Sequence, residues 1–142
     1  MTNNIRHIGI VIFDIQKSLE FYEKYLGFTL VKRMEEGGTY LDELLCIKNT
    51  KVTTIKLTDK NNQLIELLYF HNPKAKIINN ELDNIGLTHF AITVENIDEI
   101  YSCLMQQNVE FLSTPHTSPD GYAKVAFCQD PNGVYIELVE VL

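Results

Sequence analysis

Two stretches of the chain alternate apolar and polar positions and then change period. In "IRHIGIVIFDIQKSLEFYEKYLGF" (5–28) and "LTHFAITVENIDEIYSCLMQQNVEF" (87–111) a β-branched run gives way to apolar residues three and four apart. A period of two predicts a strand, and the longer period an amphipathic helix. Asp14 stands at the N-cap place of the first helix, followed by Ile15, Leu19, Tyr22 and Leu26 and closed by Gly27. Asn96 caps the second, with Ile97, Ile100, Tyr101 and Leu104 as its stripe and Asn108 suited to a left-handed close.

The two stretches form a repeat, with His7 over His89. Their ends repeat too: "TDKNNQLIELLYF" (58–70) lies over "QDPNGVYIELVEV" (129–141), matching Asp59 with Asp130 and Glu66 with Glu137. In both, a polar turn precedes a strand that carries I-E-L in the same place. From His7 to Glu66 is 59 positions and from His89 to Glu137 is 48, so the first half holds eleven more. Most of that excess falls in "MEEGGTYLDELLCIKN", where Tyr40 to Leu45 predicts a short apolar-rich helix.

Alternation assigns the faces. His7 shares a face with Gly9 and Val11, and His89 with Ala91 and Thr93, while Ile8, Ile10, Ile12 and Phe90, Ile92, Val94 point the other way, toward the helices. Glu66 and Glu137 lie opposite the flanking Ile65, Leu67 and Ile136, Leu138. The histidine faces are therefore small and carry four ionisable residues. A half-buried glutamate is costly unless paired or bound to a cation, and packing alone does not explain two matching histidines and two matching glutamates. Two imidazoles and two carboxylates suit one divalent ion among Zn, Ni, Co, Mn and Fe(II).

Composition narrows the setting. The chain has 142 residues, 45% of them hydrophobic and 22% charged, enough for one domain or two small fused halves. A net charge of −7 without clustered Lys and Arg argues against a nucleic-acid partner. No apolar run approaches a membrane span and "MTNNIRHIGI" does not read as a signal peptide, so the expectation is a cytoplasmic protein with no membrane contact. Cys46, Cys103 and Cys128 are odd in number and form no C-x-x-C pair, and are expected to be reduced, mostly packed thiols.

"RHIGIVIFDIQKSLEFYEKYLGF", "IELLYF", "THFAITVENIDE" and "AFCQDPNGVYIELVE" resemble the vicinal-oxygen-chelate superfamily, which includes glyoxalase I, methylmalonyl-CoA epimerase, extradiol dioxygenases and bleomycin- and fosfomycin-resistance proteins. The resemblance covers nearly the whole chain. It implies an α+β fold of two tandem βαβββ modules whose mixed sheets curl into a cup around a metal. The modules would span 1–70, with an insertion near 34–48, and 87–142, joined by a linker at 71–86. It implies His7, Glu66, His89 and Glu137 as metal ligands.

The set of two His and two Glu resembles that of glyoxalase I (lactoylglutathione lyase) more than the two-His, one-Glu set of the dioxygenases. That implies proton abstraction next to a carbonyl, with Glu137 as the first candidate base and Glu66 the second. Methylmalonyl-CoA epimerase and a non-enzymatic small-molecule-binding or resistance protein are the alternatives. "VKRMEEGGTYLDELL" does not reproduce the glutathione-binding residues of glyoxalase I, so the substrate is expected only to present vicinal oxygens. A homodimer is implied, and the two modules of a cup can come from one chain or two. Tyr40 and Leu44 of the insertion, and His116 in "STPHTSPDGY", are candidate substrate contacts. His71, just before Pro73, reads as an exposed loop histidine, and Lys32 and Arg33 as solvated charges.

Overall fold

The computed structural model describes residues 1–142 and divides into two compact units, Met1–Ile77 and Ile78–Leu142. In the first unit β1 (Ile8–Ile12) leads through a helix to β2 (Thr29–Gly37), α2 (Thr39–Leu45), β3 (Lys51–Thr58) and β4 (Leu64–Asn72). The strands form one mixed sheet in the order β1-β4-β3-β2, with β1 parallel to β4 and the other pairs antiparallel. The β3–β4 turn is set by Asp59, whose Oδ1 accepts the backbone N–H groups of Asn61 and Gln63, both at 2.8 Å. Asn62 takes a φ of 62° there.

The first helix begins as predicted. Asp14 Oδ1 accepts Lys17 N–H at 2.9 Å, and α1 (Ile15–Leu19) follows. It does not continue as the α-helix the apolar spacing suggests: Glu20–Tyr25 is π-helical. Leu26 N–H reaches Phe21 O at 3.0 Å, and Phe28 N–H reaches Tyr22 O at 2.9 Å. The wider turn brings the adjacent Phe21 and Tyr22 into the core together, edge-on at 5.0 Å. Leu19 and Leu26 remain half-buried. Ile10, Ile12, Ile55, Leu57, Ile65 and Leu67 complete that core, each contributing about 1.5–3 kcal/mol by leaving water.

The excess of the first half is divided between two elements. β2 already occupies Thr29–Gly37, so residues 34–37 of the expected insertion are strand. A register shift between Leu30 and Lys32 hides the alternation that would have announced it. α2 is the predicted helix, and Asp42 on it accepts the N–H groups of Asn49 and Thr50 at 2.8 and 2.7 Å.

In the second unit β5 (His89–Thr93), α3 (Ile97–Gln106), β6 (His116–Thr117), β7 (Ala123–Gln129) and β8 (Tyr135–Val141) repeat the plan in the order β5-β8-β7-β6. β5 runs parallel to β8. Asp130 Oδ1 accepts the N–H groups of Asn132 and Val134, both at 2.8 Å, as Asp59 does in its own turn. Asn96 caps α3 by accepting Glu99 N–H at 3.1 Å, and Asn108 closes it with a φ of 59°. Ile97, Leu104, Ile136 and Leu138 are buried. The fold class is thus α+β, with two four-stranded mixed sheets.

No helix is long and apolar enough to cross a membrane. The cysteines are free, but Cys46 and Cys103 are exposed rather than packed. Cys128 alone is buried, and burial, with Asp130 nearby, pushes its thiol up to about 12.

Candidate metal centre

In the first unit the site is a row across the sheet. Strand register aligns Lys56 of β3, Glu66 of β4 and Gly9 of β1, and His7 stands just ahead of β1. His7 Nε2 lies 3.1 Å from Glu66 Oε2, with 34% and 15% of the side chains exposed. The other carboxylate oxygen, Oε1, faces Lys56 Nζ at 3.6 Å. Gly9 leaves the row open, since a Cβ there would meet nothing nearer than a Leu68 methyl at 3.7 Å.

In the second unit the equivalent row is Phe127 of β7, Glu137 of β8 and Ala91 of β5. His89 Nε2 lies 3.4 Å from Glu137 Oε2. Its other ring nitrogen, Nδ1, is 2.9 Å from Thr88 Oγ1, and the Phe127 ring meets the imidazole edge-on at 5.2 Å. Hydroxyl and ring together fix the direction of Nε2, as outer partners of a metal-binding histidine do. Each pair offers one imidazole nitrogen and one carboxylate beside Gly9 or Ala91, a donor chemistry that fits a borderline divalent ion. Each unit presents one such His–Glu pair, with no third His, Cys, Asp or Glu side chain gathered beside it.

The remaining predicted residues lie on separate elements. Tyr40 and Leu44 sit on α2 with 76% and 62% of their surface exposed. His116 is exposed too, in the short edge strand β6 opposite Val125, not in a loop. His71 is likewise in a strand: β4 extends to Asn72, and His71 Nε2 lies 2.7 Å from the buried Thr53 hydroxyl. That hydroxyl also donates to Glu35 Oε2 at 2.6 Å, and the bond holds Glu35 below the usual carboxylate range.

Sequence reasoning passed over Lys56, Thr88 and Phe127. A signal for two of them was present, because counting back from the matched turns pairs residue 56 with 66 and 127 with 137.

A model of the Glyoxalase/Bleomycin resistance protein/Dioxygenase superfamily matches residues 4–138. Among curated relatives, the uncharacterized protein YwkD of Bacillus subtilis is 28% identical over 99% of this chain and 98% of its own. Lactoylglutathione lyase of Schizosaccharomyces pombe is 29% identical over 97% of this chain but only 47% of its own, so this chain spans about half of that enzyme. A solved glyoxalase family protein from Bacillus cereus superposes with a TM-score of 0.88 at 20% identity, covering 100% of this chain and 96% of that one. The chain belongs to the glyoxalase/bleomycin-resistance/dioxygenase superfamily.

Proposed function

We propose that this superfamily member is a metal-dependent lyase or isomerase of the glyoxalase I type, with one divalent ion held by His7, Glu66, His89 and Glu137. The observation that carries the reading is the recurrence of one contact: His7 to Glu66 at 3.1 Å and His89 to Glu137 at 3.4 Å, at equivalent places in two units. Similarity to a lactoylglutathione lyase supports the reaction class.

His7, Glu66, His89 and Glu137 would hold the ion, which would supply Lewis-acid polarisation of a substrate carbonyl. The protein's own work is orientation and proton transfer. His7 and His89 present Nε2, the latter braced through Nδ1 by Thr88. Glu137 takes the proton from the carbon next to the carbonyl and returns it to the neighbouring position. Glu137 is preferred to Glu66 because Glu66 is already engaged by both His7 and Lys56, whereas Glu137 faces His89 and an apolar ring. Tyr40, Leu44 and His116 are the proposed substrate contacts at the rim.

Two measurements test the assignment. Elemental analysis of the purified chain, with thermal melts before and after chelation, should give one ion per site and a lower Tm without it. Incubation in heavy water should place deuterium in a turned-over hemithioacetal or, for the epimerase alternative, a 2-substituted acyl thioester. Stoichiometric metal with tight binding but no exchange into either substrate would favour a binding or resistance protein instead.

A further inference from the structure

The two rows can be compared position by position, and they differ most beside the glutamate. Glu137 stands next to Phe127, and its carboxylate needs no cation from that strand. Glu66 stands next to Lys56, half-buried with 27% of its side chain exposed. A glutamate at this place therefore does not require a lysine neighbour, and Lys56 calls for another explanation. The next position in the row is Lys32 of β2, directly across from Lys56. Like charges facing each other across strands are destabilising, yet the register sets two lysines in line with a metal-ligand candidate. Two carboxylates cancel a divalent ion, and with Glu66 drawn to the ion the positive charge of the row is left uncompensated.

We propose that Lys56, backed by Lys32, is an anion subsite beside the centre, so that the substrate carries an acidic group in addition to its vicinal oxygens. This rests on the metal-centre reading above and adds a substrate class to it: a small carbonyl or hydroxy compound bearing a carboxylate or phosphate. Lys56 has two partners in alternation. Without metal its ammonium holds Glu66, and when Glu66 turns to the ion the same ammonium is released to the substrate anion. Phe127 gives the second unit no such group, so the acidic end of the substrate lies over the first sheet.

The test uses the full chain loaded with nickel and two probes that share a pair of chelating oxygens. Acetohydroxamate ends in a methyl group, and the monohydroxamate of succinic acid ends in a carboxylate. The wild type should bind the carboxylate-bearing probe about tenfold tighter, the scale of a charge-assisted contact. Compared at matched nickel occupancy, Lys56→Met should bring the ratio to about one by weakening the carboxylate-bearing probe, Lys56→Arg should keep most of the preference, and Lys32→Met should lose part of it. A wild-type ratio near one, or a ratio unchanged in Lys56→Met, overturns the subsite even if Lys56→Met folds poorly, because the first comparison needs no variant. Repeating the pair with 3-phosphonopropionohydroxamate, which keeps the hydroxamate oxygens, in place of the carboxylate-bearing probe distinguishes a carboxylate from a phosphate-like preference. Loss of nickel and of acetohydroxamate binding in the wild type would instead remove the metal reading and the subsite together.

Discussion

In the first unit Glu66 is approached by His7 from one side and by the Lys56 ammonium from the other, while in the second Glu137 meets His89 and, across the strand, only the ring of Phe127. His89 in turn is braced by Thr88 and Phe127. The backbone repeats closely: parallel first and last strands, the same aspartate-set turn, and a glutamate in the same register opposite Gly9 or Ala91. Duplicated geometry with unequal surroundings is how one chain assigns different tasks to equivalent carboxylates, because environment and not position sets what a carboxylate can do.

Replacing one glutamate at a time gives the largest expected separation. Glu137→Gln should abolish deuterium exchange and weaken metal binding by at least about a hundredfold, the upper end for losing even an outer partner of a metal ligand. Glu66→Gln should weaken metal binding comparably but leave residual exchange, since the proposed base is intact. Metal titration followed by heavy-water exchange on both variants decides it. Equal loss of exchange at matched metal occupancy would remove the division of labour between the two carboxylates.

The cores should behave alike where the sites do not. Leu67 and Leu138 are fully buried and flank the two glutamates by the same step along their strands. Leu67→Ala and Leu138→Ala should each cost about 2–5 kcal/mol, because truncation loses both transfer energy and packing. Denaturant melts on the two variants would show whether the units unfold together. Two separate transitions, moved one at a time, would mean that each sheet is its own cooperative unit.

The repeat was readable in the sequence because its markers are residue types that packing alone does not explain: paired histidines, paired glutamates, and turns built on Asp59 and Asp130. The candidate site was readable to the same depth, as positions on a face. Its unequal halves were not, since Lys56 in "KVTTIKLT" has the pattern of an ordinary solvated strand residue until strand pairing sets it beside Glu66. The end of β2 inside the expected insertion is hidden for a similar reason: the register shift past Leu30 breaks its alternation, and six of its nine residues are polar, charged or glycine. His71 has the local pattern of a loop residue because Pro73 follows so soon, yet the pairing of β3 with β4 carries it into the sheet beside Thr53. Pairing is a long-range fact, and local pattern does not contain it.

The aspartate turns give a smaller test of the same comparison. Both accept two backbone N–H groups, but Asp130 is buried and also receives the Asn132 side-chain amide at 2.9 Å. Asp130→Ala should cost about 2–3 kcal/mol and Asp59→Ala about 1 kcal/mol, because a buried donor left unsatisfied carries the larger penalty. Chemical denaturation of the two variants measures the difference, and a larger loss at Asp59 would show that exposure does not govern these turns.

The smallest effect expected is an acid response in loops that the two halves do not share. Asp42 is held below its ordinary value of 3.8 chiefly by Thr50 N–H, with Asn49 N–H also contributing. Asp120 is held below the same value chiefly by the Ser118 hydroxyl, with Tyr122 N–H beside it. A carboxylate whose folded value is depressed contributes stability that is present above its unfolded value and lost as pH falls through the folded one. Asp120 is exposed and Asp42 only half-buried, so the energy is small and the local signal is the better readout. Amide NMR of Thr50 and Tyr122 should therefore shift with midpoints below pH 3.8, and Asp42→Asn should abolish the Thr50 titration while leaving that of Tyr122 in place. A Thr50 midpoint at or above the ordinary value would mean that Asp42 does not fasten α2 to β3, and that the extra length of the first half is held by something else.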